Sequence, residues 1–351
     1  MEPDPSPTAA RPHPTGGRAT LRDVARLAAV SPKTVSRVVN REPGVTDAKV
    51  AAVTAAIEKL GYRPNFTASS LRRANGRTAT IGAVLENVAN PFSSALHRAM
   101  EEVARERGVL ILAGSVDEDP ARERALISAF AGRQVDGLVV APASSNQSYL
   151  TTEILGGTPV VFVDRPPVGI QADTVLIDNR AGARQAVGHL IAHGHRAIAY
   201  LGDLSSIATA QDRLLGYQEA LASEGIRPCP EHIVQDMHTE EAAEQAVHRL
   251  LELDSPPTAL FTAQNLVTIG AIRALRARHR QHAVALVGFD DFPLADLLEP
   301  GVTVVAQDPS AMGRLAASLI FRRLDGESWE PAVHEIRTQL IRRGSGEISA
   351  V

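Results

Sequence analysis

Between Thr20 and Asn40 the sequence TLRDVARLAAVSPKTVSRVVN repeats apolar positions at helical spacing twice, with a break between the repeats. Val24, Leu27 and Ala28 make one stripe, and Val35, Val38 and Val39 make a second, which predicts two short helices. Ala29, Val30 and Ser31 fall in the break. Ser31 is a good N-cap because its hydroxyl accepts a backbone N–H two or three residues on, and Pro32 then occupies the first helical position, where its missing N–H costs nothing. The second helix therefore turns a defined face outward. That face carries Pro32, Lys33, Ser36, Arg37 and Asn40, which is polar, basic and long enough to reach base edges in a major groove. On pattern alone a helical hairpin with a solvated face is the competing reading.

After the loop REPGV a third helix is predicted, capped by Thr46 and running from about Asp47 to Leu60. Its inner face is read as Val50, Val53, Ile57 and Leu60, and Gly61 ends it. Tyr62-Arg63-Pro64-Asn65 follows, and Asn65 can cap a short helix over about 66–73. Such a helix is too short to persist alone in water, so the residues by themselves read as a linker.

Beyond residue 78 the periodicity changes. TIGAVL, VLILAG, VDGLVV, PVVFVD, AIAYLG, TALFTA and AVALVG are short apolar runs of buried-strand type. Helix-period segments separate them at 94–107, 121–132, 180–193, 210–224, 240–253, 265–280 and 309–324. The alternation predicts an α/β body of parallel sheets covered by helices on both faces, and about ten strands imply two such units. Ligands of these sheets bind beyond the carboxyl ends of strands. Asn90 and Phe92 follow TIGAVL, Asp164 and Arg165 follow PVVFV, Gln264 follows ALFTA, and Asp290 follows ALVGF. Arg213 can donate a bidentate fork, Asp290 can accept two hydroxyls and Phe92 can stack on a ring, a chemistry that fits a polyhydroxylated ligand. Each also has a structural alternative: a helix cap for Asp290, an ion pair for Arg213, core packing for Phe92.

Composition sharpens this picture. A chain of 351 residues with 44% hydrophobic and 22% charged residues is a globular protein of two or three domains. The net charge of −4 conceals a strong asymmetry. Residues 18–77 hold twelve Lys and Arg against four Asp and Glu, including all three lysines, whereas the remainder is acidic. A small basic module on a large acidic body points to a polyanion partner for the module alone. The first seventeen residues are Pro-rich and read as a disordered arm rather than a signal peptide. A single cysteine, Cys229, allows no internal disulfide and suits a reducing cytoplasm, and no run is long and apolar enough for a membrane span.

DVARLAAVS-x-x-TVSRVVN, then V-T, a helix and GYRPN, resembles the headpiece of the lactose-repressor (LacI/GalR) family of bacterial transcription regulators. The resemblance extends over nearly the whole chain. It implies an N-terminal three-helix helix-turn-helix headpiece (18–64), a hinge helix (65–77) and a two-lobed periplasmic-binding-protein-like core. The expected lobes are an N-subdomain of 78–177 with 306–336 and a C-subdomain of 178–305 with 337–351, leaving 1–17 as the arm. Arg37 and Lys33 are the leading candidates for base edges. Thr34, Ser36 and Asn40 are expected to position the phosphate backbone, and the family varies the two residues after Ser31, here Pro32 and Lys33, to set operator sequence. Thr20, Tyr62 and Asn65 join the DNA-facing set. In such proteins the hinge orders on the operator and a leucine, here Leu71, wedges between base pairs in the minor groove. QDRLLGY resembles the family's R-x-x-G-[FYW] segment, which places Arg213 in the effector cleft, and Thr209 and His238 align with ligand-facing positions. There is one departure: where the family usually has Asn-Asp after the strand at 259–263, this chain has Gln264-Asn265, which changes what the pocket accepts.

These expectations describe a ligand-responsive regulator, most simply a repressor, that binds a palindromic operator in double-stranded DNA as a homodimer under the control of a small molecule such as a sugar. The polar ending RRGSGEISAV lacks the heptads of a tetramerising tail. The second reading is a solute-binding protein or a sugar-modifying enzyme on the same body. No Walker loop, G-x-G-x-x-G or nucleophile motif is present, and no cofactor is expected. His193-Gly194-His195 lacks a third ligand at metal-site spacing and is read as a helix end, and Asp290-Asp291 lies on a strand end where neighbouring side chains point apart.

Overall fold

The computed structural model describes residues 19–39, 42–63 and 77–350. Asn40, Asn65 and Leu71, with the rest of the expected hinge up to residue 76 and the N-terminal arm, lie outside the described residues. The chain divides into two units, Met1–Thr78 and Ala79–Val351.

The first unit holds α1 (Leu21–Leu27), α2 (Pro32–Val39) and α3 (Asp47–Leu60). Thr20 starts α1 through a reciprocal capping box with Asp23: the Asp23 N–H donates to Thr20 Oγ1, and the Thr20 N–H and hydroxyl donate to Asp23 Oδ2 at 3.0 and 2.6 Å. The turn that follows places Ala29 in the left-handed region at φ 51°. Ser31 caps α2, its Oγ accepting from the Thr34 N–H at 3.1 Å. Gly61 closes α3 in the left-handed conformation. Three readings of this unit need correction. Thr46 occupies the N-cap of α3, but its side chain makes no cap bond. The buried face of α3 is Val53 and Ala56, with Ile57 partly covered, whereas Val50 and Leu60 are 39% and 37% exposed. In α1 the buried pair is Val24 and Ala25, and Leu27 is exposed. Three short helices cover only a narrow arc of one another, so the small residues Ala25 and Ala56 fill the contact and the ends of each apolar stripe stay wet.

The second unit contains two six-stranded sheets. The first has the order β11-β5-β4-β3-β1-β2 and is parallel throughout. Its strands are β1 (Thr80–Leu85), β2 (Leu110–Ser115), β3 (Gly137–Val140), β4 (Val160–Val163), β5 (Asp173–Ile177) and β11 (Val333–Ile336). The second has the order β12-β10-β9-β8-β6-β7, from β6 (Ile198–Leu201), β7 (Ile233–Val234), β8 (Ala259–Thr262), β9 (Ala285–Phe289), β10 (Thr303–Ala306) and the antiparallel edge β12 (Gln339–Ile341). Helices α4 (Pro91–Glu106), α5 (Pro120–Gly132), α6 (Thr151–Leu155) and α11 (Pro309–Leu324) belong to the first lobe. Helices α7 (Asn179–Ala192), α8 (Ala208–Ser223), α9 (Glu240–Leu251) and α10 (Asn265–Ala277) belong to the second. The chain thus passes between the sheets after Ile177, after Ala306 and between Ile336 and Gln339.

The strands β3, β4, β6, β8 and β9 are buried along their whole length, as their unbroken apolar runs require. VLILAG departs from its reading as a buried strand: β2 is an edge, and Leu110 is 69% exposed. Three helix pairs approach on a glycine, among them α10 on α9, where a Cβ at Gly270 would lie 2.2 Å from the Glu240 carbonyl oxygen. A Cβ at Gly313 of α11 would lie 2.3 Å from the Leu96 carbonyl oxygen of α4, and one at Gly216 of α8 would lie 2.4 Å from that of Arg180 in α7. The second lobe's tyrosines are buried with their hydroxyls satisfied, Tyr200 donating to the Ala210 carbonyl and Tyr217 to that of Ile198. At the end of α7, His195 engages Thr258 Oγ1 and the Ile348 carbonyl, and His189 meets Glu347, so the histidines of this region hold the last turn of the chain. No helix among the described residues is long and apolar enough to cross a membrane.

Candidate functional site

The carboxyl ends of both sheets face a single cavity of about 610 Å³, including its open mouth. Asn90, Phe92, Asp164 and Arg165 reach it from the first lobe, and Thr209, Arg213, His238, Gln264 and Asp290 reach it from the second. All nine residues selected from the sequence for this role therefore line one cleft.

Each is set by its strand or helix end. Asp164 directly follows β4 and Asp290 directly follows β9. Both adopt positive φ, 68° and 71°, and each backbone N–H donates to the neighbouring strand, to Val175 and Val305 respectively. The two lobes thus present an aspartate in the same strained turn, a conformation that costs about 1–3 kcal/mol and is held by the surrounding sheet. Asn90 caps α4, its Oδ1 accepting from the Phe92 N–H, with Pro91 at the first helical position. Gln264 caps α10, its Oε1 accepting from the Leu266 and Val267 N–H groups. Only its amide N–H₂ therefore remains for the cavity, which limits what the longer side chain can do there.

Arg213 is buried and its guanidinium is held on three sides. It donates to Asn179 Oδ1 at 2.8 Å and to the Ala263 carbonyl at 2.7 Å, and it lies 3.9 Å above the centre of the Phe289 ring. Its Nη1 is 3.7 Å from Asp290 Oδ2. Arg165 forms a two-point pair with Glu118 at 2.6 and 2.7 Å. Burial opposes its charge, but Glu118 and Asp164 together raise its pKa above the ordinary arginine value. Burial pushes the Asp164 and Asp290 carboxyls up, and the neighbouring arginines pull each back only in part. His238 Nδ1–H donates to Asp203 Oδ1 at 2.7 Å, and this bond raises its pKa. Asp291 turns away from the cavity and pairs with Arg343 at 2.6 and 2.7 Å.

Among the lining residues that the sequence reading missed, four carry charged or amide side chains: Glu86, Glu118, Asp203 and Gln307. Glu86 and Asp203 stand one and two residues beyond strands that the sequence did reveal, so the strand-end rule applied evenly would have found them. Gln307 follows β10, which was not recognised, and Glu118 lies three residues past β2.

On the headpiece surface Pro32 and Lys33 are exposed at the start of α2, and Thr34, Ser36 and Arg37 are half-buried. Thr34 Oγ1 is 2.9 Å from Ser31 Oγ, so it takes part in the cap. Arg37 folds back on the following loop: its Nη2 donates to the Pro43 carbonyl and its Nε lies 3.6 Å from Glu42. Tyr62 packs against the small core of Val24, Val35 and Val53.

Residues 20–65 match the family described as bacterial regulatory proteins, lacI family, and residues 187–346 match the periplasmic binding protein-like domain. The chain is 33% identical over 336 residues to the HTH-type transcriptional regulator PtxS of Pseudomonas plecoglossicida, spanning 94% of this chain and 96% of that protein. The solved complex of the transcriptional regulator CelR with cellobiose is 33% identical and superimposes with a TM-score of 0.68 over 93% of this chain and all of that one. The lac repressor dimer bound to operator and the anti-inducer ONPF is 24% identical, with a TM-score of 0.82 over 94% of this chain and 99% of that one, a likeness of fold. The chain belongs to the LacI family and is a DNA-binding transcriptional regulator, not an enzyme.

Proposed function

We propose that this regulator, most simply a repressor, binds a palindromic operator as a dimer and is controlled by a small polyhydroxylated effector, a sugar or sugar derivative, seated between its lobes. One observation carries the reading: nine side chains, six taken from strand ends and three from the family resemblance, converge on one cavity at the carboxyl ends of both sheets. CelR, a third identical in sequence, binds cellobiose in its solved complex, which supports a sugar in the same place.

On the DNA side, Lys33 and Arg37 are proposed to read base edges, with Thr20, Pro32, Thr34, Ser36 and Tyr62 positioning the headpiece. Asn40, Asn65 and Leu71 complete that set from the sequence alone. The edge strand β2 exposes Leu110 and Leu112, a patch that association of two copies would cover. Two copies place two recognition helices in successive major grooves, hence the palindrome. The effector acts by favouring one arrangement of the lobes, and its influence on DNA is bounded by its difference in affinity for the two arrangements.

The test is a gel shift of the full chain on palindromic duplexes across a salt series, repeated with sugars that raise the melting temperature. Affinity should fall steeply as salt rises, and a stabilising sugar should change it. A chain that ignores duplex DNA at low ionic strength, or a sugar that binds without altering DNA affinity, contradicts the proposal.

A further inference from the structure

The cleft is unevenly supplied with charge. Five carboxylates line it, from Glu86, Glu118, Asp164, Asp203 and Asp290, against the two guanidiniums of Arg165 and Arg213 and the imidazole of His238. Both guanidiniums are partly engaged: Arg165 with Glu118 and the Pro142 carbonyl, and Arg213 through Nε with Asn179 and through Nη1 with the Ala263 carbonyl. Among the described residues the Glu86 carboxylate accepts no hydrogen bond, and its closest ion-pair partner is His238 Nε2 at 4.0 Å. That imidazole is itself committed to Asp203 through Nδ1. Asp164 likewise accepts no side-chain hydrogen bond, its nearest donor being Arg165 Nε at 3.4 Å. Uncommitted donors remain on the walls, Arg213 Nη2 and the Gln264 amide N–H₂ among them, but none hydrogen-bonds to the Glu86 or Asp164 carboxylate, so a ligand that satisfies these two acids must bring donors of its own. A carboxylate or phosphate on the ligand would meet the unneutralised charge at close range in a partly dry site.

We propose that the effector is a polyhydroxylated molecule bearing a cationic amino group, such as an amino sugar, with the ammonium seated at the Glu86 carboxylate. The proposal rests on the reading of the cleft as the effector site. Seating a cation there gives Glu86 the charge-assisted partner it lacks and leaves Asp290 and Asp164 to accept hydroxyls. Glu118, Arg165, Asp203 and His238 are the other charged groups that act on Glu86. With Glu86 itself ionised, three acids stand against Arg165 and His238, so the field at that point favours a cation even before the ligand's hydroxyls are placed.

The experiment is calorimetric titration of the full chain at pH 7.5 with matched sugars in the gluco, galacto and manno series: the hexose, its 2-amino-2-deoxy form and its uronate. In the series that binds, the amino form should be tighter than the hexose by about tenfold or more, the difference made by one charge-assisted contact, and the uronate should be weakest. Glu86→Gln, checked for folding by circular dichroism, should remove the advantage of the amino form, so that it and the matching hexose bind with similar affinity. A hexose or uronate that binds as tightly as the amino form overturns the proposal while leaving the sugar cleft intact, and the wild-type ranking decides this even if the variant fails to fold. If no member of any series binds, the polyhydroxylated reading itself falls, and the present inference with it.

Discussion

The side-chain amide of Asn265 donates to Asn90 Oδ1 across the cleft at 3.0 Å, joining the first residue of α10 to the cap of α4 in the other lobe. Neither amide can flip. Asn90 Oδ1 is also the acceptor for Phe92 N–H, and Asn265 Oδ1 accepts from Leu266 N–H at 2.8 Å. Aspartate is the residue usual in the family at this place, and it lacks the donor. Asn265→Asp should therefore set acceptor against acceptor and weaken the closed arrangement by roughly 1–3 kcal/mol. Effector affinity should fall about tenfold, and small-angle scattering should show a larger radius of gyration. Unchanged affinity with unchanged scattering would show that this bond does not hold the lobes together.

Arg213 combines two roles that were weighed as alternatives from the sequence. It lines the cleft, and it also anchors Asn179, the Ala263 carbonyl and Asp290 inside the second lobe. Arg213→Ala should abolish the effector response, but it should also strand the buried Asp290 carboxylate without its cation. The expected loss is about 3 kcal/mol of stability, visible by calorimetry as a lower Tm. Arg213→Lys keeps the charge without the two-point geometry and should fall between. A variant with wild-type Tm and no effector response would mean that the guanidinium serves the ligand alone.

The two-lobed body was legible because its central strands are unbroken apolar runs, and the cleft because strand ends mark it. What escaped notice lies where those signals fade. DTVLI, TVVA, VHEI and QLI are short, and VHEI and QLI are only half-covered, so β5, β10, β11 and β12 gave no clear periodicity. Leu110 and Leu112 read as core because an edge strand and a central one have the same composition until the neighbours are known. In α3 the larger side chains of Val50, Val53, Ile57 and Leu60 set the visible stripe, whereas Ala56 is buried because it is small. That Gln264 spends its carbonyl oxygen on a helix cap, and that Arg37 folds onto Pro43, depend on rotamers that no sequence pattern specifies.

Arg37 must leave that fold to reach a base. Its partner Glu42 is half-exposed, so the pair is worth no more than about 1 kcal/mol. Glu42→Gln should release the guanidinium and remove a negative charge from the DNA-facing loop, raising operator affinity by up to about fivefold at low salt, with a smaller gain at high salt. Arg37→Ala should cost about 1–3 kcal/mol on the preferred operator and relax preference at one base pair. Fluorescence anisotropy on a set of singly substituted duplexes separates the outcomes. A uniform loss across all sequences would assign Arg37 to the phosphate backbone instead.

Among the cleft groups whose pKa is raised, Glu86 and His238 are the two whose removal tests how stability falls as pH rises. Burial, reinforced by Glu118, pushes the Glu86 carboxyl up to about 7, whereas in the unfolded chain it sits near 4.5. The folded form therefore holds a proton that the unfolded form has released, and the cost of ionising the buried group accrues from about pH 4.5 until it is complete above 7. The His238 pKa is raised by its bond to Asp203, so its contribution is full below 6.5 and is lost as pH climbs through its folded value. Both terms have the same sign, and wild-type Tm should decline between pH 5.5 and pH 8 without ligand. Glu86→Gln should raise Tm more at pH 8 than at pH 5.5, by about 2–4 °C for each kcal/mol recovered, and so flatten the profile. His238→Gln should flatten it too, but by lowering the acid end, because the stabilising imidazolium is then absent. Parallel pH profiles for the wild type and both variants would place the titrating groups elsewhere.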